Sequence, residues 1–340
     1  MIKSVSVQNF RKHTKHKVDF VGNKTIITGP NGCGKTSLIE AIYVGLVGKS
    51  WRSDFRDITK NKHSWWRVDI ELNNQKQRTI KYQNNNPTFN IDGKKYNRLP
   101  TKLKKTVILF EPSNLNLIYQ SPGGRRDYTD KLISSLNIEY YKTLRRYSRL
   151  LQQRNNLLKQ NPSRNDLFVW DIQLADLAAN IISTRHDFIK QINKYLPKEY
   201  QKIDGSKNRL KIGYTYYCDD INKTRQDILG ELHSNYSKEK TIGCTSVGPH
   251  QHDFVFYLNN NTATTTLSRG ENRSAILALK NTEYLLKKDQ NPIILLDDVL
   301  SEFDEKHQIN LLSNFSDSQI IITSVNSPTT VKKFNIINLS

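Results

Sequence analysis

The chain has 340 residues, 36% of them hydrophobic and 25% charged, with a formal net charge of +20, which describes a soluble protein with a packed core and a surface that attracts polyanions. Its apolar runs, such as residues 291–298, are too short to span a bilayer, and residues 1–10 alternate like a strand and lack the apolar core of a leader. Three cysteines, Cys33, Cys218 and Cys244, show no short-range pairing, which argues against a disulfide framework or a zinc site and makes the cytoplasm the expected compartment.

Residues 1–10 and 16–20 read as strands, and 23–29 as a third that ends in a glycine-rich turn. GPNGCGKT (29–36) matches the phosphate-loop pattern, and residues 37–48 follow it as a helix. Gly29, Pro30, Asn31, Gly32, Cys33 and Gly34 form a loop whose backbone N–H groups can turn inward on phosphate oxygens. Lys35 reaches the β- and γ-phosphates of ATP, and Thr36 can ligate Mg²⁺. WWRVDIEL, RTIKYQ and TFNID then read as a β-meander, and residues 107–110 as a short buried strand.

After residue 121 the pattern turns helical. Residues 131–160 read as one helix with Leu144, Tyr147, Leu151 and Leu158 near one face. NPSRND breaks it. A second long helix follows, with a stripe at Leu174, Leu177, Ala178, Ile181 and Ile182 that reads as packing between paired helices. Between Lys94 and Lys159 there are fifteen Lys/Arg against four Asp/Glu, a net of +11, so the cations cluster. A strand at 210–217, a helix near 221–236 and strand character through SVGPHQHDFVFYL come next.

The last part alternates helix (272–287), strand (293–297), helix (304–314) and strand (319–325), an α/β ending with parallel strands. IILLDD (293–298) delivers two carboxylates at a strand end: Asp297 to hold Mg²⁺ and Asp298 to polarise an attacking water. His250 and His252 lack a third ligand nearby, so the pair is not read as a metal site.

The order of these blocks resembles ATPases of the ABC type, and within them the RecF family, over nearly the whole chain. NFRKH (9–13) is similar to that family's opening. PSNLNLIYQSPGGRRDYTD (112–130), GPHQHDF (248–254), LSRGENRSAILALK (267–280) and LLDDVLSEFDEKHQ (295–308) follow in the family's order. Ser113, Gln120, Thr129, Gln251, His252 and Phe303 depart from its pattern. The resemblance implies an α/β fold: an ABC-type ATPase head, a P-loop NTPase with a mixed sheet, carrying an inserted helical lobe. The expected division is 1–122 and 241–340 for the two parts of the ATPase lobe and 123–240 for the helical lobe.

The resemblance also implies an ATP-dependent homodimer that binds double-stranded DNA and single-strand/double-strand junctions. Such a dimer would act with RecR and RecO to place RecA on single-stranded gaps, and slow, DNA-stimulated ATP hydrolysis would reset it. It would work in the cytoplasm, on the nucleoid when bound to DNA, and away from membranes. In that dimer the Ser268 hydroxyl and Gly270 N–H would contact ATP held by the other copy, since the phosphate loop leaves one side of the γ-phosphate open. Asp304 would lie between the two sites and Ser324 near the γ-phosphate. Arg125, Arg126, Arg145, Arg146 and Arg149 are the candidates for phosphate contacts to DNA. The rival is a transporter ATPase subunit, which also pairs a phosphate loop with Ser-x-Gly. Arg269 between that serine and glycine, and the arginine pair at 125–126, weigh against it.

Overall fold

In the computed structural model the described residues are 1–315, 317–331 and 334–339. They divide into two compact units, one of residues 1–115 and 283–340, the other of 116–282.

In the first unit β1 (Ile2–Phe10), β2 (His13–Asp19) and β3 (Lys24–Thr28) lead into α1 (Lys35–Val47) and the short α2 (Phe55–Ile58). The meander follows as β4 (Trp65–Leu72), β5 (Gln77–Gln83), β6 (Asn86–Ile91) and β7 (Lys94–Tyr96), and then β8 (Val107–Phe110). Among the described residues the antiparallel sheet runs β2-β1-β4-β5-β6-β7. Period-two alternation buries Val5, Val7, Val68, Ile70, Ile80, Phe89 and Ile91 in one core with α1 residues Leu38, Ile42 and Leu46. Gly45 of α1 has no room for a Cβ beside Ile70, so helix and sheet meet closely there.

The second unit contains α3 (Pro122–Leu136), α4 (Ile138–Leu158), α5 (Arg164–Ile192), α6 (Leu196–Asp204), β9 (Leu210–Tyr214), α7 (Ile221–Ser234) and α8 (Tyr236–Ile242). It goes on through β10 (Phe254–Leu258), β11 (Asn261–Thr262) and α9 (Ala263–Thr266) into α10 (Arg269–Lys287), which crosses the boundary between units. Residues 131–160, expected as one helix, belong to two, α3 and α4, the second ending at Leu158. Asn137 interrupts them, and its side chain accepts from the N–H groups of Glu139 and Tyr140 as the cap of α4. The stripe on α5 is core: Leu174, Ala178, Ile181 and Ile182 are buried.

Strand character through 246–252 does not hold. Gly248 takes φ 123° ahead of Pro249, and the strand starts only at Phe254. Residues 241–282, expected with the ATPase lobe, cluster with the helical residues because β10 pairs with β9.

The chain then returns to the first unit with β12 (Ile293–Asp297), α11 (Glu305–Asn314), β13 (Ile320–Ser324) and β14 (Asn335–Asn338). A parallel sheet in the order β14-β3-β13-β12-β8 results. Two of its inner strands, β12 and β13, are buried along their whole length, so each opens on a continuous apolar run, IILL and III, with no alternation.

Candidate nucleotide site

The C-terminal ends of β3, β12 and β13 bring the phosphate loop and the two acids together, since β13 lies between β3 and β12 in parallel register. The loop from Gly29 to Gly34 joins β3 to α1. Gly34 caps that helix at φ 108° and offers no side chain to satisfy its first N–H groups. Those donors are left for an anion, with the positive end of the helix behind them. Lys35 is buried, and its Nζ donates to the carbonyls of Gly29 at 2.7 Å and Pro30 at 3.0 Å. The cation is thus folded back over the loop.

Thr36 Oγ1 donates to Asp297 Oδ1 at 3.0 Å, uniting the two expected metal ligands. Thr323, one residue before the end of β13, donates to the same Asp297 oxygen at 2.8 Å. The N–H of Asp298 donates to Thr323 at both its carbonyl (3.1 Å) and its hydroxyl (3.0 Å). One threonine therefore positions both acids. Burial pushes the Asp297 carboxyl above the ordinary range, against the two threonine hydroxyls that lower it. Burial also raises Asp298, and Lys35 opposes that shift. Asp298 holds φ 54°, and its Oδ1 is buried without a hydrogen-bond partner among the described residues. An orphaned carboxylate oxygen beside a threonine–aspartate pair fits Mg²⁺ with its water shell.

Ser324 ends β13, buried and in register with Thr28. Asp304 is exposed and caps α11, accepting from the His307 N–H at 2.9 Å and pairing with its Nδ1 at 2.7 Å. Both hydrogen bonds hold its carboxyl below the usual range. Ser268 and Gly270 belong to the second unit, exposed at the start of α10. There Ser268 and Glu271 cap reciprocally: Ser268 N–H donates to the carboxylate at 2.9 Å, and Glu271 N–H to the hydroxyl at 3.3 Å.

The five arginines fall into two groups. Arg125 is committed within the second unit, to Asp253 at 3.0 and 2.5 Å and to the Ile118 and Gln120 carbonyls. Arg126 donates to the His252 carbonyl at 2.6 Å. Arg145, Arg146 and Arg149 are exposed on α4. His250 and His252 point to different tyrosines: Tyr147 hydroxyl meets His250 Nδ1 at 2.6 Å, and Tyr214 hydroxyl meets His252 Nδ1 at 2.8 Å. His252 also stacks on Tyr216 at 4.5 Å, and burial drives its pKa down to about 3, so it is a neutral packing residue. Sequence reasoning missed Thr323, whose only local signal is its place beside Ser324 at a strand end. It also assigned no role to the 9–13 segment, which touches the loop.

A model described as the RecF/RecN/SMC N-terminal domain matches residues 1–339. A DNA replication and repair protein RecF from Alkaliphilus oremlandii is 33% identical over 347 residues, covering 95% of this chain and 93% of the relative. The RecF of Streptococcus agalactiae is 33% identical over 358 residues, covering 98% and 96%. A solved structure of the recombination mediator protein RecF–ATPrS in the RecFOR pathway superposes with a TM-score of 0.87 and 28% identity, covering 97% of this chain and 93% of that one. An Smc head bound to the C-terminal winged-helix domain of ScpA shares the fold at 15% identity and a TM-score of 0.56.

Proposed function

The chain belongs to the RecF/RecN/SMC N-terminal domain family and, within it, to the RecF proteins of DNA replication and repair; from that premise we propose an ATP-gated DNA-binding protein that serves recombination mediators. The observation that carries the reading is the assembly of Lys35, Thr36, Asp297 and Asp298 around a helix end with no cap of its own. Likeness to a solved RecF–ATP structure in the RecFOR pathway supports ATP as the ligand and RecO and RecR as the setting; RecA is the protein loaded in this reading. Its curated relatives are RecF proteins, which weighs against a transporter subunit.

In this reading the loop N–H groups and Lys35 take the phosphates, Lys35 exchanging two backbone carbonyls for phosphate oxygens. Thr36 and Asp297 would hold Mg²⁺, which would supply neutralisation of the phosphate charge. Asp298 orients a water and takes its proton, a task matched to a carboxyl with a raised pKa. A second copy supplies the Ser268 hydroxyl and Gly270 N–H to the open side of the γ-phosphate, so ATP joins the copies. Asp304 and Ser324 line that junction. Duplex DNA lies against Arg145, Arg146 and Arg149, while Arg125 and Arg126 hold the segment at 250–253 in place. Hydrolysis is a reset, and the work is done in the cytoplasm.

Oligomer size and duplex binding, measured with ATP, without it, and in Lys35→Met, test this. ATP is expected to yield a dimer that binds duplex DNA, with both properties lost in Lys35→Met. Duplex binding indifferent to ATP would sink the gating.

A further inference from the structure

The turn between β1 and β2 and the first residue of β2 carry three consecutive side chains, Arg11, Lys12 and His13, and each ends on a different point of the phosphate loop or its helix. Arg11 reaches furthest along the chain. It sits at φ 52°, with its N–H donating to the Ile58 carbonyl at 2.8 Å. Its guanidinium forks onto Glu40 of α1 at 2.9 and 2.8 Å and reaches Ser53 Oγ at 2.6 Å and the Asp57 carbonyl at 2.8 Å. Glu40 is wholly buried and also accepts from Ser50 at 2.6 Å. A buried carboxylate satisfied by a two-pronged arginine fixes the turn against the helix.

Lys12 and His13 are thereby delivered to the loop itself. Lys12 Nζ donates to the Gly32 carbonyl at 2.7 Å. His13 Nε2 lies 3.0 Å from the Gly34 carbonyl, which has no proton to give, so Nε2 carries it. The imidazole fills the space beside Gly34: a Cβ there would stand 2.6 Å from Nε2 and 2.7 Å from the neighbouring carbon, Cε1. The His16 ring stacks on that of His13 at 5.2 Å and 22°, limiting its rotation.

This contact has a consequence for the ligand side. In a trans peptide the carbonyl and the following N–H point in opposite directions, and the chain has no cis peptide among its described residues. The Gly34 carbonyl, which also accepts the Leu38 N–H at 3.0 Å, is thus held from two sides, and the Lys35 N–H is aimed away from the His13 brace. Lys12 fixes the Gly32 carbonyl, on the far side of its peptide from the Cys33 N–H, which turns back to the Pro30 carbonyl at 3.3 Å and so closes the turn ahead of Gly34. We propose that Lys12 and His13 are positioning residues for nucleotide binding: His13 holds the Gly34–Lys35 peptide in the orientation that presents its N–H to phosphate, and Lys12 holds the turn just ahead of it, before any nucleotide arrives. Such preorganisation lowers the cost of ordering a glycine-rich loop at the moment of binding.

The inference rests on the ATP-binding reading, and full-length protein tests both. ATP affinity by titration and steady-state hydrolysis are compared for the parent, His13→Ala, His13→Gln and Lys12→Met. Loss of one anchoring hydrogen bond is expected to weaken ATP about 5–30-fold in His13→Ala. Glutamine, whose amide N–H can take the place of Nε2, is expected to restore affinity to within about threefold of the parent. Lys12→Met, at an exposed carbonyl, is expected to lose about two- to fivefold. In each variant kcat at saturating ATP stays within about threefold, because the bound loop is held by the phosphates themselves. Unchanged ATP affinity in His13→Ala overturns the inference, as does equal loss in His13→Ala and His13→Gln, which would reduce the ring to packing. If His13→Ala does not fold, Lys12→Met decides: ATP affinity equal to the parent's overturns the inference. A parent that fails to bind ATP would instead overturn the functional reading on which the inference stands.

Discussion

Asp298 is held in a backbone conformation that a residue with a Cβ rarely adopts, at a cost of about 1–3 kcal/mol, and Thr323 is what holds it there. Asp298→Asn is expected to keep ATP binding while hydrolysis falls about 10²- to 10⁴-fold, read by titration beside single-turnover kinetics. Thr323→Val keeps the volume and removes the hydroxyl that joins the two acids. It is expected to lower hydrolysis about tenfold or more, with a smaller effect on ATP affinity. Both acids have folded-state pKa values above the ordinary range and act in their charged forms. Capture of Mg²⁺ by the metal-free site needs Asp297 charged, so Mg²⁺-dependent ATP affinity should fade as pH drops through that raised value, at a higher pH than an unperturbed aspartate would give, and titrations across the acid range check this. The sign for stability is opposite: a carboxyl with a raised folded-state pKa favours folding when protonated and opposes it when charged. Asp297→Asn can still accept from Thr36 and Thr323, so it should raise the melting temperature of the nucleotide-free protein at neutral pH while abolishing hydrolysis.

Among elements, the pairing of α4 with α5 rests on a buried charge cluster. Arg154, fully buried, donates to Asp171 and Glu239, each at 2.6 Å, and to Thr245 Oγ1 at 2.8 Å. Arg154→Met would leave two buried carboxylates without their cation, and an unfolding titration in urea should show a loss of about 3–5 kcal/mol. Hydropathy could not foresee this, because it reads a mid-helix arginine as solvent-facing. The phosphate loop, the α5 stripe and the parallel strands were legible, since each is set by a pattern a few residues long. The break at Asn137 was not, because a cap is an interaction of one side chain with backbone geometry. Nor was the brace on the loop, since Lys12 and Gly32 stand twenty positions apart and nothing in a local pattern records that they touch. The ion pair of Arg125 was hidden for the same reason: Asp253 lies 128 positions downstream.

For the whole molecule, a charge of +20 makes association with DNA depend on salt. Replacing Arg145, Arg146 and Arg149 together with glutamine should cut the slope of log affinity against log salt by up to about 2.7, at about 0.9 per lost phosphate contact on duplex DNA. Ser268→Arg should leave ATP binding by the monomer intact and prevent ATP-driven dimerisation in sedimentation. Loss of monomer binding would contradict its assignment to the neighbouring copy. The strand order carries one more consequence, for how the chain is made. The strand that leads into the phosphate loop, β3, pairs with β13 and β14, and β8 pairs with β12. On the ribosome, β3 emerges roughly 290 residues before its first sheet partner, a wait of about 15–60 s at usual rates of synthesis. The 116–282 unit is one unbroken stretch of chain and is complete within that interval. A half-made chain therefore has no assembled ATP pocket, and a stalled or truncated product lacking the last strands cannot compete for nucleotide with finished molecules.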